Sequence, residues 1–265
     1  MENTKIVFIG TSNFGAIILK KLIKVYRLVL VVTTSFNSPV AKEAKTNKIP
    51  ITFDLNEIKK VNPDLTITAA YGKIVPENVL NVPKYGSLNV HPSLLPEYRG
   101  PSPIQTTILN GDKKTGVTII LMDTKIDHGA IISNSEFLIS KDYNYKELDK
   151  ALALEGANLL LETIPKWTEG ELKAKEQDHS KATSTRIIKK KDGQIDWQKS
   201  PQEIERKVRA FNSWPGTFIV WKNKIIKILE VRIENNKLVI EKVQPEGKKP
   251  MNFEDFLRGH KDFRI

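Results

Sequence analysis

The chain of 265 residues contains no cysteine. Disulfides, thiol nucleophiles and cysteine-based zinc or iron–sulfur sites are thereby excluded. No apolar run approaches the roughly 20 residues that cross a bilayer. The opening "MENTKIVFIG" has no basic segment followed by a long apolar one, so it does not read as a secretory leader. A cytoplasmic protein without membrane contact is expected. The glycine-rich phosphate loops are missing too. Residues 10–15 read "GTSNFG", which is neither G-x-G-x-x-G nor the start of a G-x-x-x-x-G-K-[ST] loop, so a dinucleotide or nucleoside triphosphate is not supported. Internal repeats and low-complexity tracts are likewise lacking.

What is present suits a globular protein. Hydrophobic residues make up 40% of the chain, enough for a sizeable core, and at about 150 residues per domain the length fits two domains or one large one. The net charge is +11, unevenly spread: residues 171–265 carry 22 Lys and Arg against 14 Asp and Glu, and residues 1–170 carry 20 against 17. A basic C-terminal third attracts polyanions, of which nucleic acid is the commonest large one. A solvated, lysine-rich surface gives the same count.

Short apolar runs alternate with helix-like segments through the first half. "KIVFIG" (5–10), "LVLVVTT" (28–34), "ITF" (51–53), "LTITAA" (65–70), "SLNVH" (87–91) and "GVTIILM" (116–122) read as strands. "FGAIILKKLIKVY" (14–26) has apolar residues at helical spacing. Buried strands alternating with helices predict an α/β domain with a mostly parallel, doubly wound sheet. Residues 143–168 hold the longest helical pattern and are expected to close this domain. The domain then spans 1–170, a basic linker 171–191, and a small β-rich unit 192–265. In that unit "SPQEIERKVRAFN" (200–212) has a Ser-Pro helix start. "GTFIVW", "KIIKILEVRI" and "KLVIEKV" alternate like short antiparallel strands.

Three stretches carry candidate chemistry. Side chains two apart in a strand share a face, so Asn89 and His91 point together at the carboxyl end of one strand, which Pro92 terminates. An amide and an imidazole side by side can donate to an oxygen that gains negative charge. "MDTKIDHGAII" (122–132) places Asp123, Asp127 and His128 in a loop leaving a strand, with Gly129 allowing a tight return. "AAYGKIVP" (69–76) ends a strand in small residues and a glycine, where a ligand can approach backbone.

In this order, "AAYGKIVP", "SLNVHPSLLPEYRGPSPIQ" and "TGVTIILMDTKIDHGAII" resemble the N-10-formyltetrahydrofolate-dependent formyltransferases over about residues 4–170. "DGQIDWQKSPQEIERKVRAFNSWPGTF" (192–218) and "PEGKKPM" (245–251) are most similar to the branch that formylates methionyl-initiator-tRNA. The resemblance implies a Rossmann-like formyltransferase domain and a small C-terminal domain related to the oligonucleotide-binding barrel. It implies no metal, and 10-formyltetrahydrofolate as co-substrate. Asn89, His91 and Asp127 fall on the family's catalytic positions. The implied roles are oxyanion stabilisation by Asn89 and His91, and orientation of His91 and proton transfer by Asp127. Folate contacts are expected from Ala70, Tyr71, Gly72, Ile74, Ser93, Leu94, Leu95, Arg99, Gly100 and Pro101. Pro92, Pro96, Pro101 and Pro103 stiffen that loop. Arg99 is a partner for the folate glutamate tail or for RNA phosphate. Lys42, Lys181, Arg186, Lys189, Lys190 and Lys191 are the expected tRNA contacts, and a monomer suffices.

The stretch "TTSFNSPVAKEAKTNKIP" (33–50) departs from that branch, which carries a longer basic loop here. The shortening favours a smaller amine, such as a nucleotide-linked amino sugar. The basic second unit favours tRNA.

Overall fold

The apolar runs of the first half become neighbouring strands of one sheet in a computed structural model that describes residues 4–264. The strands are β1 (Lys5–Gly10), β2 (Arg27–Val32), β3 (Ile51–Thr52), β4 (Leu65–Ala69), β5 (Ser87–His91), β6 (Lys114–Leu121) and β7 (Ile131–Leu138). Between them run α1 (Asn13–Leu22), α2 (Pro39–Thr46), α3 (Glu57–Val61), α4 (Glu77–Leu80) and α5 (Pro103–Asn110), and α6 (Tyr145–Thr168) follows. The sheet order is β3-β2-β1-β4-β5-β6-β7. β3 to β5 are parallel, whereas β6 and β7 run antiparallel to their neighbours. The apolar run at 116–122 does not disclose that reversal, because a strand buried on both faces reads alike in either direction.

Every residue of β4 is buried, as expected for a strand covered on both sides. α1 buries Phe14, Gly15, Ile18, Leu19 and Leu22, one stripe at helical spacing. Its approach is close: a Cβ on Gly10 or Gly15 would lie 2.7 or 2.8 Å from the Ala69 carbonyl oxygen, so no larger residue fits. Ser38 caps α2 through the Ala41 N–H, with Pro39 at the first helical position. The chain leaves β1 toward β2 on one side, and β4 lies on the other. This is the point of reversal where such sheets bind ligands at their carboxyl edge.

The chain divides into two units. Residues 1–103, 114–139 and 149–185 form the first, and 104–113, 140–148 and 186–265 the second. The basic stretch expected to link domains is therefore split. Residues 171–185 are bonded into the first unit: Lys175 pairs with Ile131, and Arg99 exchanges backbone hydrogen bonds with Thr183 and Thr185 (2.9 and 2.7 Å).

In the second unit lie α7 (Pro201–Ala210), β8 (Thr217–Trp221), β9 (Lys224–Glu234), β10 (Lys237–Pro245), β11 (Met251–Asn252) and α8 (Phe253–Gly259). The four strands form one antiparallel sheet in the order β11-β10-β9-β8. Two-residue turns at Lys222–Asn223 and Asn235–Asn236 have positive φ throughout, the geometry that matches strand twist in tight hairpins. Ser200 and Glu203 close a capping box on α7. Ile204 and Val208 of that helix join Ile219, Ile228, Val243 and Phe256 in the unit's core.

Candidate functional site

β5 delivers Asn89 and His91 to one face, while Val90 points oppositely toward Gly156, where a Cβ would lie 2.8 Å from it. Asp127 arrives from the loop after β6. It sits at φ +50°, and a Cβ on the nearby Gly129 would lie 1.9 Å from the Leu121 carbonyl oxygen, so this return admits only glycine. Asn89 Nδ2 donates to Asp127 Oδ1 at 3.2 Å, and His91 Nδ1 lies 3.4 Å from the same oxygen. The Gly100 N–H donates to Asp127 Oδ2 at 2.8 Å. His91 Nε2 faces the Tyr98 carbonyl at 2.9 Å; a carbonyl only accepts, so the Nε2 proton is fixed.

This geometry assigns the atoms. The Tyr98 contact orients the ring. The Nδ1 contact is longer than a formed hydrogen bond, so Nδ1 is the ring nitrogen open to a reacting group. Asn89 gives one amide proton to Asp127 and keeps a second. The side chains of His91 and Asp127 are only 5% and 12% exposed, so each polar contact acts with little competition from water.

Gln177, which nothing in the sequence singled out, completes the arrangement. It is 5% exposed, in the stretch read as a linker. Its Nε2 donates to the carbonyls of Asp127 and Gly129 (2.9 and 2.7 Å), and its Oε1 accepts from Arg99 Nε and Nη2 (3.1 and 2.6 Å). The amide is fully used, and it ties the Asp127 loop to the segment carrying Tyr98 and Gly100. Arg99 Nη2 also donates to His179 Nδ1 at 2.8 Å. The His179 ring stacks on His128 with centroids 4.1 Å apart. His128 in turn bonds Asp123 at 2.6 Å, and Asp123 also accepts from the Lys125 N–H as a turn residue. Nε and Nη2 of Arg99 are thus committed to the protein, which leaves Nη1 as the part of the guanidinium that can meet a glutamate tail or a phosphate.

The expected folate residues separate into two sets. Ala70, Gly72, Ile74 and Pro101 are exposed, and Ile74 is 73% so. Open space surrounds Gly72, where a Cβ would meet nothing within 4 Å. Tyr71, Ser93 and Leu95 are buried. The Tyr71 ring packs among Val7, Ile9 and Val75, and burial raises its phenol pKa. Ser93 Oγ donates to the Glu97 carbonyl, and the Leu95 N–H donates to Thr118. Half-buried Leu94 covers Gly116, where a Cβ would come within 2.4 Å of it. These residues shape the loop from within. Gly100 contributes its N–H to Asp127.

Among the expected tRNA contacts, Lys42 stands exposed on α2 and Lys181 pairs with Asp178 at 3.0 Å, both in the first unit. Arg186, Lys189, Lys190 and Lys191 are exposed in the second unit. Arg186 Nη1 bonds Asp192 at 2.6 Å. That bond, followed by the Lys189 N–H, holds the Asp192 carboxyl at about 2, below its usual 3.8. A depressed pKa stabilises the fold above the unfolded value and loses that contribution as pH falls through about 2. Asp192→Asn is therefore expected to lower the melting temperature at pH 6–7, with the difference from the parent shrinking below about pH 3. Melting curves across pH check this.

Comparison with known proteins now bears on the whole arrangement. The pattern of the formyl transferase family matches residues 4–164, which contain Asn89, His91 and Asp127, and that of the formyl transferase C-terminal domain matches 187–238. The chain belongs to the formyl transferase family. A methionyl-tRNA formyltransferase of Bacillus velezensis is 37% identical to this family member over 97% of the chain and 95% of its own length. A solved methionyl-tRNA formyltransferase from Clostridium thermocellum shares the fold, with a TM-score of 0.65 at 19% identity, covering 91% of this chain and 98% of that one. An N-formyltransferase from Helicobacter canadensis, solved with folinic acid and dTDP-3-aminofucose, has a TM-score of 0.69 at 21% identity over 94% and 98% of the two chains. No helix among the described residues is long and apolar enough to cross a membrane.

Proposed function

We propose that this formyl transferase moves a formyl group from 10-formyltetrahydrofolate to the α-amine of methionyl-initiator-tRNA, acting in the cytoplasm as a monomer. The observation that carries the acceptor is the identity to methionyl-tRNA formyltransferases along both units of the chain. The trio Asn89, His91 and Asp127 carries the chemistry. The exposed strand exit at Ala70, Gly72 and Ile74, facing open space at Gly72, fits a flat ligand laid against backbone. The acceptor amine forms its new bond to the formyl carbon as the bond from that carbon to N10 of 10-formyltetrahydrofolate breaks, so tetrahydrofolate leaves and its N10 takes up the proton that the amine gives up.

The free amide proton of Asn89 donates to the formyl oxygen as it gains charge, and His91 adds a second donor there when Nδ1 is protonated as well as Nε2. Asp127 holds the Asn89 amide at Oδ1, faces the His91 ring, and is the acceptor for the proton that the attacking amine must lose, directly or through one water. Gly100 and Gln177 keep the carboxylate in place. Gln177→Ala is expected to lower kcat about 10²-fold, the scale of a loop misplaced by an ångström, with a smaller change in KM. Gln177→Glu keeps an acceptor for Arg99 but loses both donors to the Asp127 loop, so it should not rescue. Steady-state kinetics with a melting control separate this positioning role from loss of fold.

The deciding assay offers purified protein 10-formyltetrahydrofolate with either methionyl-initiator-tRNA or an amino-sugar nucleotide. Formylated tRNA supports the proposal. Formylated sugar with no formylated tRNA overturns it, and would agree with the short loop at 33–50.

A further inference from the structure

Two phenylalanines stand exposed at the carboxyl edge of the sheet, away from the reaction centre. Phe36, just past β2, is 69% exposed, and Phe53, directly after β3, is 44% exposed. Their rings meet edge to face, with centroids 4.4 Å apart at 77°. Both are held on braced turns. The Ser38 N–H bonds the Ser35 carbonyl, Thr33 and Ser38 share a hydroxyl contact of 2.8 Å, and the Asp54 N–H bonds Thr52 Oγ1. Along residues 36–54 the lysines at 42, 45 and 48 outnumber the acids Glu43 and Asp54. Lys42 is exposed in the first turns of α2, whereas Asp54 is occupied by the backbone and amide N–H groups of Asn56, and Glu43 by the Asn47 amide.

The strand order fixes where this pair lies. β2 is three places from β5, about 14 Å at the usual strand spacing. A polar track spans part of the interval. Thr34 Oγ1 donates to Thr11 Oγ1, and Thr11 Oγ1 donates to the Tyr71 carbonyl, each at 3.2 Å. Two rings are far too small for a protein interface, which needs about 800 Å² on each partner. They match a single flat heterocycle.

We infer that Phe36 and Phe53 form a stacking platform for an unpaired base of the RNA whose aminoacyl end reaches Asn89, His91 and Asp127. The inference rests on the RNA acceptor proposed above. Aromatic rings hold bases of any identity by their faces, and the lysine-bearing helix beside them suits the attached phosphate. The platform takes up the strand between its paired stem and the reaction centre, three sheet strands away.

The test compares the parent with Phe36→Ala, Phe36→Leu, Phe36→Tyr and Phe53→Ala in formylation of methionyl-initiator-tRNA. The alanine variants are expected to raise KM for tRNA about tenfold, within the range of one lost base stack. kcat should stay within about twofold of the parent, and KM for 10-formyltetrahydrofolate should not move. Tyrosine should behave as the parent and leucine as alanine. The ratio of variant to parent KM should hold constant as salt rises from about 50 to 200 mM, because stacking releases no counterions. Melting temperatures confirm that these exposed substitutions leave the fold intact. If the parent formylates tRNA and the alanine variants match it, or leucine replaces phenylalanine without loss, the platform is wrong and the acceptor reading stands. If the parent formylates no tRNA, both fall together.

Discussion

Asp127→Asn is expected to reduce kcat for formyl transfer by about 10³-fold, within the range for removal of a proton-accepting group, with KM for either substrate changed only a few-fold. The substitution keeps the shape and removes two things. The carboxylate now accepts at both oxygens: Oδ1 faces Asn89 and the His91 ring, and Oδ2 takes the Gly100 N–H. An asparagine must turn its amide toward one of those donors, so donor faces donor either way. It also leaves the attacking amine without a charged proton acceptor and the His91 ring without the carboxylate that faces it. The backbone change is small, because asparagine is among the few residues that accept φ near +50°. A melting temperature within a few degrees of the parent, together with single-turnover rates, checks the prediction. An Asp127→Asn protein that kept a tenth of the parental kcat would remove Asp127 from the chemistry.

The pairing of Asn89 with His91 is legible in the sequence for local reasons, whereas Asp127 joins them through the family resemblance. Period two in "SLNVH" puts Asn89 and His91 together, and Pro92 marks where the ladder stops. The left-handed turn at Asp127 is foreshadowed by the glycine two residues on, which brings the loop back against Leu121. What stayed hidden depends on partners distant in sequence. Arg99 reads as a free cation, and only the fold shows it bonded to Gln177 and His179. A buried amide such as Gln177 has no periodic signature at all, since its hydrogen bonds reach back about fifty residues to Asp127 and Gly129. Ser93 and Leu95 read as ligand contacts because their loop adjoins the site, and the fold adds that their side chains turn inward. Residues 93–105 read as one rigid wall, although its last proline, Pro103, opens α5, where a missing N–H costs nothing. The second unit was more open to reading. The Ser200–Glu203 pair and the turn at Asn235–Asn236 act within a few residues of one another.

Asn89→Ala is expected to cost about 10²–10³ in kcat, the usual effect of deleting one preorganised oxyanion donor. The expectation rests on the amide's second proton. One N–H is committed to Asp127 at 3.2 Å, and the residue is only partly buried, which leaves the other N–H for a substrate oxygen. Asn89→Asp is the sharper variant. It keeps the size, removes both donors, and sets a second carboxylate against Asp127. Two carboxylates at that separation do not both ionise freely, so the proton acceptor is impaired along with the oxyanion donor. Asn89→Asp should therefore fall below Asn89→Ala, whereas a purely space-filling role for Asn89 predicts the opposite order. The double variant Asn89→Ala/Asp127→Asn supplies the last constraint. Both single changes alter the same hydrogen-bonded pair, so the combined loss should be smaller than the product of the separate losses. If the losses multiply in full, the two side chains act independently, and the hydrogen bond between them is not what prepares the site.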